Sequence, residues 1–73
     1  MDNRLTIVFE PAEVGGYTAF IPEVPGAVSE GEAVEETRDM VLDALHELTL
    51  FRREAALRAK GPKALIERIA PAF

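Results

Sequence analysis

The chain has 73 residues, no cysteine and 48% hydrophobic residues, which is room for one domain and excludes a two-domain enzyme or a disulfide-stapled fold. A domain this small buries only about 60% of the surface of its unfolded chain. With no disulfide and no Cys/His metal cluster to staple it, oligomerisation is the expected support. The net charge of −5, from 13 acidic and 8 basic residues, argues against sequence-independent DNA or RNA binding, which runs on phosphate neutralisation, and suits a basic protein partner.

Residues 1–4 lead into a strand-like pattern and not into a continuous apolar stretch, so no signal peptide is expected. No run approaches the ~18 apolar residues of a membrane span, and the expected location is the cytoplasm. Leu5, Ile7 and Phe9 alternate with Arg4, Thr6, Val8 and Glu10, the period of a half-buried strand over residues 4–10. Pro11 has no N–H to donate, so pairing should weaken there. Glu13-Val14-Gly15-Gly16 has turn chemistry, and residues 17–21 read as a second strand. The two form an antiparallel hairpin whose loop is longer than two residues. Pro22-Glu23-Val24-Pro25-Gly26 stops the second strand in a rigid turn. Residues 27–30 form a short third strand, broken by Gly31.

From Val34 the period becomes helical. Val34, Thr37, Val41, Ala44, Leu45, Leu48, Phe51, Arg52 and Ala55 share one arc, the face expected to pack on the sheet. Acids crowd the first turns and arginines the later ones, in keeping with the helix dipole. Gly61-Pro62 should stop the helix near Ala59. The pattern of residues 64–70 fits two forms. Leu65, Ile66 and Ile69 suit a helical face, while alternating Ile66, Arg68 and Ala70 suit an edge strand.

Little in the chain points to catalysis. Ser29, the single serine, has no spacing that brings it to His46 with an orienting acid. His46, the single histidine, lies off the core arc and is no zinc signature. Glu10, Glu35, Glu36, Asp39, Asp43 and Glu67 form a solvated acidic surface. A metal site among Glu10, Glu35, Glu36 and Glu67 is the requirement of an alternative reading, a minimal metal-dependent nuclease. Gly15-Gly16 belongs to a hairpin and not to a phosphate cradle. No cofactor is expected, and the chain reads as a binding protein and not as an enzyme. Leu50 and Leu57 lie in the middle of the polar helical face, with Met40 and Leu42 on its flanks. These four residues are the candidate self-association surface.

The runs Gly16-Tyr17-Thr18-Ala19-Phe20-Ile21-Pro22-Glu23-Val24-Pro25-Gly26 and Gly31-Glu32-Ala33-Val34-Glu35-Glu36, followed by Ala44-Leu45, resemble the HicB-like antitoxin family over residues 4–50. The resemblance implies an α+β fold of the partial ribonuclease-H-like kind, β-β-β-α-β, in which residues 64–70 are the terminal strand of a single domain spanning 1–73. It implies an antitoxin that binds and masks a HicA-type toxin, a small basic ribonuclease, without chemistry of its own. On this reading Pro22, Pro25 and Gly26 shape one rim of the partner surface, and Glu30, Glu32, Glu35 and Glu36 present its charge. A homodimer or tetramer is expected. A stand-alone oligomeric module without a toxin is the alternative.

Ala27 stands where the family has cysteine. Ala33 stands at the Thr/Ser helix-cap position, a loss of about 1 kcal/mol. No helix-turn-helix or ribbon–helix–helix segment follows the helix, so direct DNA binding by this chain alone is not expected.

Overall fold

The computed structural model describes residues 4–70. Its elements are β1 (Val8–Pro11), β2 (Tyr17–Phe20), β3 (Val28–Gly31) and α1 (Val34–Ala59). The strands form an antiparallel meander in the order β1-β2-β3. Val8 pairs with Phe20 and Phe20 with Val28, while Pro11 pairs with Tyr17 and Tyr17 with Gly31. The fold is thus α+β, with three antiparallel strands and one long helix.

The strands are shorter than the alternation suggests. Residues 4–7 lie outside the ladder, although Leu5 and Ile7 pack against the core. Pro11 ends β1 inside the ladder instead of before it, which an edge strand tolerates because one side of the chain needs no donor. Gly31 likewise ends β3 as a paired residue and does not break it.

Glycine is required at two contacts. Gly16 has φ +76°, and a Cβ there would lie 2.5 Å from the Gly31 carbonyl oxygen. A Cβ on Gly31 would lie 2.7 Å from Thr37 Oγ1, so glycine lets the first turn of α1 sit directly on the end of β3.

Ala33 is the N-cap residue, with extended dihedrals and no side-chain cap. The Glu36 carboxylate reaches past the cap to the residue before it: the Glu32 N–H donates to Glu36 Oε1 at 2.9 Å. Thr37 is fully buried, and its hydroxyl donates to the Ala33 carbonyl at 2.7 Å. This internal partner satisfies the one buried polar side chain among the described residues.

The helix covers β3 and β2. Ala19, Ile21, Ala27 and Val41 form the buried centre, with Phe9, Val24, Leu45 and Leu48 packed around them. Ala27 is 1% exposed, so the position needs only a small side chain. Arg38 lies over the Phe9 ring at 5.6 Å from its centroid, shielding the β1 edge on the helix side. Arg52 belongs to the packed arc for a polar reason: its guanidinium donates to the Pro25 carbonyl at 2.7 Å, clasping the turn between β2 and β3.

Two expectations fail beyond Leu48. Phe51, assigned to the core arc by periodicity, is 66% exposed. Residues 64–70 form neither strand nor helix, so the terminal strand is not made within this chain. Length explains both. The 26 residues of α1 span about 39 Å, whereas four-residue strands span about 14 Å. The helix overshoots the sheet, and residues 66–69 lie beside Arg53, Ala56 and Leu57 near its far end. The long axis of the molecule is accordingly 51 Å.

Candidate protein-binding surfaces

Pairing register decides which side chains share a face. Ala19 faces α1, since it is buried against Val41, and its partners Phe9 and Ser29 face the same way. The intervening residues therefore face outward. Val8, Phe20 and Val28 make an apolar row across the open face of the sheet, and Val28 is 53% exposed. Glu10, Thr18 and Glu30 make the next row, with an acid on each edge strand. An apolar strip bordered by carboxylates suits a partner that is itself apolar and basic at the contact. Sequence reasoning placed Glu30 on the partner surface but missed Val8, Phe20 and Val28. The available signal was the apolar residue at Val8 on the side of β1 opposite Phe9.

The structure divides the expected rim. Pro22, Pro25 and Gly26 are all exposed, in the turn that follows β2. There the Val24 N–H donates to the Ile21 carbonyl, the Ala27 N–H to Val24 and the Ile21 N–H to Ala27. Glu32, Glu35 and Glu36 are also exposed, but they surround the start of α1 at the opposite end of β3. Glu30 lies near that second end. The turn and the acidic cluster are thus separated by roughly the length of a four-residue strand, about 14 Å. Within the cluster Glu36 holds the Glu32 N–H, while Glu35 joins it in the first helical turn, where carboxylates are favoured by the helix dipole.

Glu23, next to Pro22, has a structural duty that the sequence did not signal. It accepts from the Thr6 N–H at 3.0 Å and from the Thr6 hydroxyl at 2.6 Å. The turn is thereby tied to the segment before β1.

The four candidate self-association residues are all exposed: Met40 by 48%, Leu42 by 45%, Leu50 by 37% and Leu57 by 42%. Further apolar surface adjoins Leu57. A groove between the end of α1 and the returning tail is lined by Arg53, Ala56, Leu57, Ile66 and Ile69. Leu65 is 99% exposed and Ile69 80%.

Among the described residues, no three His, Asp or Glu side chains are placed to hold a metal ion. The acids named for a nuclease lie apart: Glu10 at the end of β1, Glu35 and Glu36 at the start of α1, and Glu67 in the tail. His46 is exposed on α1, and Ser29 is half-buried on β3. Among the described residues, no helix is long and apolar enough to cross a membrane.

By architecture the chain is a small α+β protein, an open-faced meander backed by one helix. Comparison with known proteins is more specific. UPF0150 protein ssl0738 of Synechocystis sp. is 35% identical over 69 residues, which cover 94% of this chain and 96% of that protein. Antitoxin HicB 1 of Photorhabdus laumondii is 43% identical over 42 residues, 58% of this chain and 27% of that protein. The chain belongs to the HicB-like UPF0150 family. No family model matches the chain, and no solved structure matches it significantly.

Proposed function

We propose that the chain is an antitoxin-type binding protein that masks a small basic ribonuclease of the HicA type by contact alone. The observation that carries this reading is the open sheet face, where the Val8–Phe20–Val28 row borders Glu10 and Glu30. The similarity to an antitoxin and the net charge of −5 support it. An exposed apolar strip supplies contact area, and flanking carboxylates steer a cationic partner and fix its orientation. The acidic cluster Glu32, Glu35 and Glu36 extends the same charge around the end of β3. The partial ribonuclease-H-like topology belongs to this proposal: residues 64–70 would complete the sheet as a strand only in an assembly.

A pull-down from native lysate with the full chain as bait tests the reading. The expected result is one small basic protein near stoichiometry, in a complex that loosens as salt rises. The recovered protein should cleave RNA alone and lose that activity when this chain is added. Val28→Asp should abolish the capture. Recovery of the bait alone, in a stable oligomer, would replace this reading with that of a stand-alone HicB-like module.

A further inference from the structure

Charge and packing divide this molecule at the same point. Residues 1–49 hold eleven of the 13 acids and two of the 8 bases, a net of −9, while residues 50–73 hold two acids and six bases, a net of +4. Up to Leu48 the helix is packed on the sheet, and its last contact with that end is Arg52 on the Pro25 carbonyl. Beyond it, Phe51, Leu57, Leu65, Ile66 and Ile69 are all exposed.

The cost shows in the surface. A compact monomer of 8.0 kDa exposes about 4,500 Å², whereas this chain exposes 6042 Å². The radius of gyration is 15.4 Å, against about 11 Å for a compact chain of 73 residues. The surplus, about 1,500 Å², is nearly twice the ~800 Å² that one partner buries in an ordinary stable interface.

We propose that a second copy of this chain covers this end, with the two α1 helices antiparallel about a two-fold axis. In that arrangement the basic, apolar half of each helix lies along the acidic half of the other. Both contacts are complementary at once, as an isologous interface requires. Parallel helices would instead set acids against acids. On the outward face, Asp39 and Asp43 precede the helix centre, Arg53 and Arg58 follow it, and Leu50 and Leu57 supply apolar contact. The exposed apolar side chains favour a protein over a nucleic acid as the occupant, because phosphate contacts need only the cations. The inference is independent of the antitoxin reading, since the open sheet face lies on the other side of the sheet from α1.

Sedimentation equilibrium of the full chain is the test. The wild type should sediment at about twice the 8.0 kDa of one chain. Leu57→Asp, at an exposed position, should return the smaller mass without loss of helical circular dichroism. Two charge variants decide the orientation. Asp39→Lys with Asp43→Lys, and Arg53→Glu with Arg58→Glu, should each weaken self-association by roughly tenfold or more. Mixed in equal amounts, the two variants should pair with each other and restore the dimer. A wild type that stays at 8.0 kDa, or a dimer indifferent to the charge variants, overturns the proposal. A monomeric wild type that shifts a labelled RNA oligomer also overturns it and assigns the basic end to nucleic acid.

Discussion

The two ends of α1 grow from one continuous helix, yet they differ in what they rest on. The first half buries Thr37 and Val41 against a sheet and carries acids outward. The second half carries Phe51 and Leu57 into solvent beside residues 64–70, which join no strand ladder. Periodicity is the same on both sides of Leu48, so the difference does not come from the helix itself. It comes from the sheet, which ends after about 14 Å while the helix continues. An amphipathic stripe thus identifies the side of a helix that can be buried, and only the partner's length identifies how much of it is.

Paired substitutions at the two ends test that contrast most severely. Ile21→Ala should destabilise the isolated chain by about 2–5 kcal/mol, because Ile21 is 2% exposed and its loss leaves a cavity in a very small core. Phe51→Ala should cost less than about 0.5 kcal/mol under dissociating conditions. Urea unfolding at low protein concentration measures both, and equal losses would mean that the second half of α1 is packed in solution. Gly31→Ala probes the junction between sheet and helix. Its Cβ would lie 2.7 Å from Thr37 Oγ1 and 3.0 Å from Thr37 N, so a loss of about 1–3 kcal/mol is expected from the displaced first turn. No change in the urea midpoint would show that α1 docks less closely than the contact implies.

The smallest effect is a gain. Ala33 already has the extended backbone of an N-cap, and Glu36 stands three residues on. Ala33→Thr should therefore supply the missing N-cap acceptor and add about 1 kcal/mol, a rise of roughly 4–8 °C in Tm by calorimetry. A fall in Tm would mean that the threonine hydroxyl cannot reach the Glu36 N–H.

The candidate surface was partly legible in the chain. Glu30, Glu32, Glu35 and Glu36 are exposed as their charge implies, and Pro22, Pro25 and Gly26 form the expected turn. Their grouping into one rim was not legible, because β3 stands between the turn and the acids. Glu23 was legible only as part of the proline turn, and folding alone brings Thr6 to it from 17 positions away. The Val8–Phe20–Val28 row depends on register across three strands, which alternation within any single strand does not supply.

Local chemistry in the sequence was enough to place three strands, though not their ends, a turn of two prolines and a glycine, and a helix running from Val34 to Ala59. Those features follow from backbone preferences and periodicity, which act over a few residues. Tertiary structure alone decided that Arg52 grips Pro25, that Phe51 lies beyond the sheet, and that residues 64–70 remain unpaired in the single chain. Each of these depends on the distance between elements far apart in the chain, and that distance is set by the 26 residues of α1 laid across strands of four.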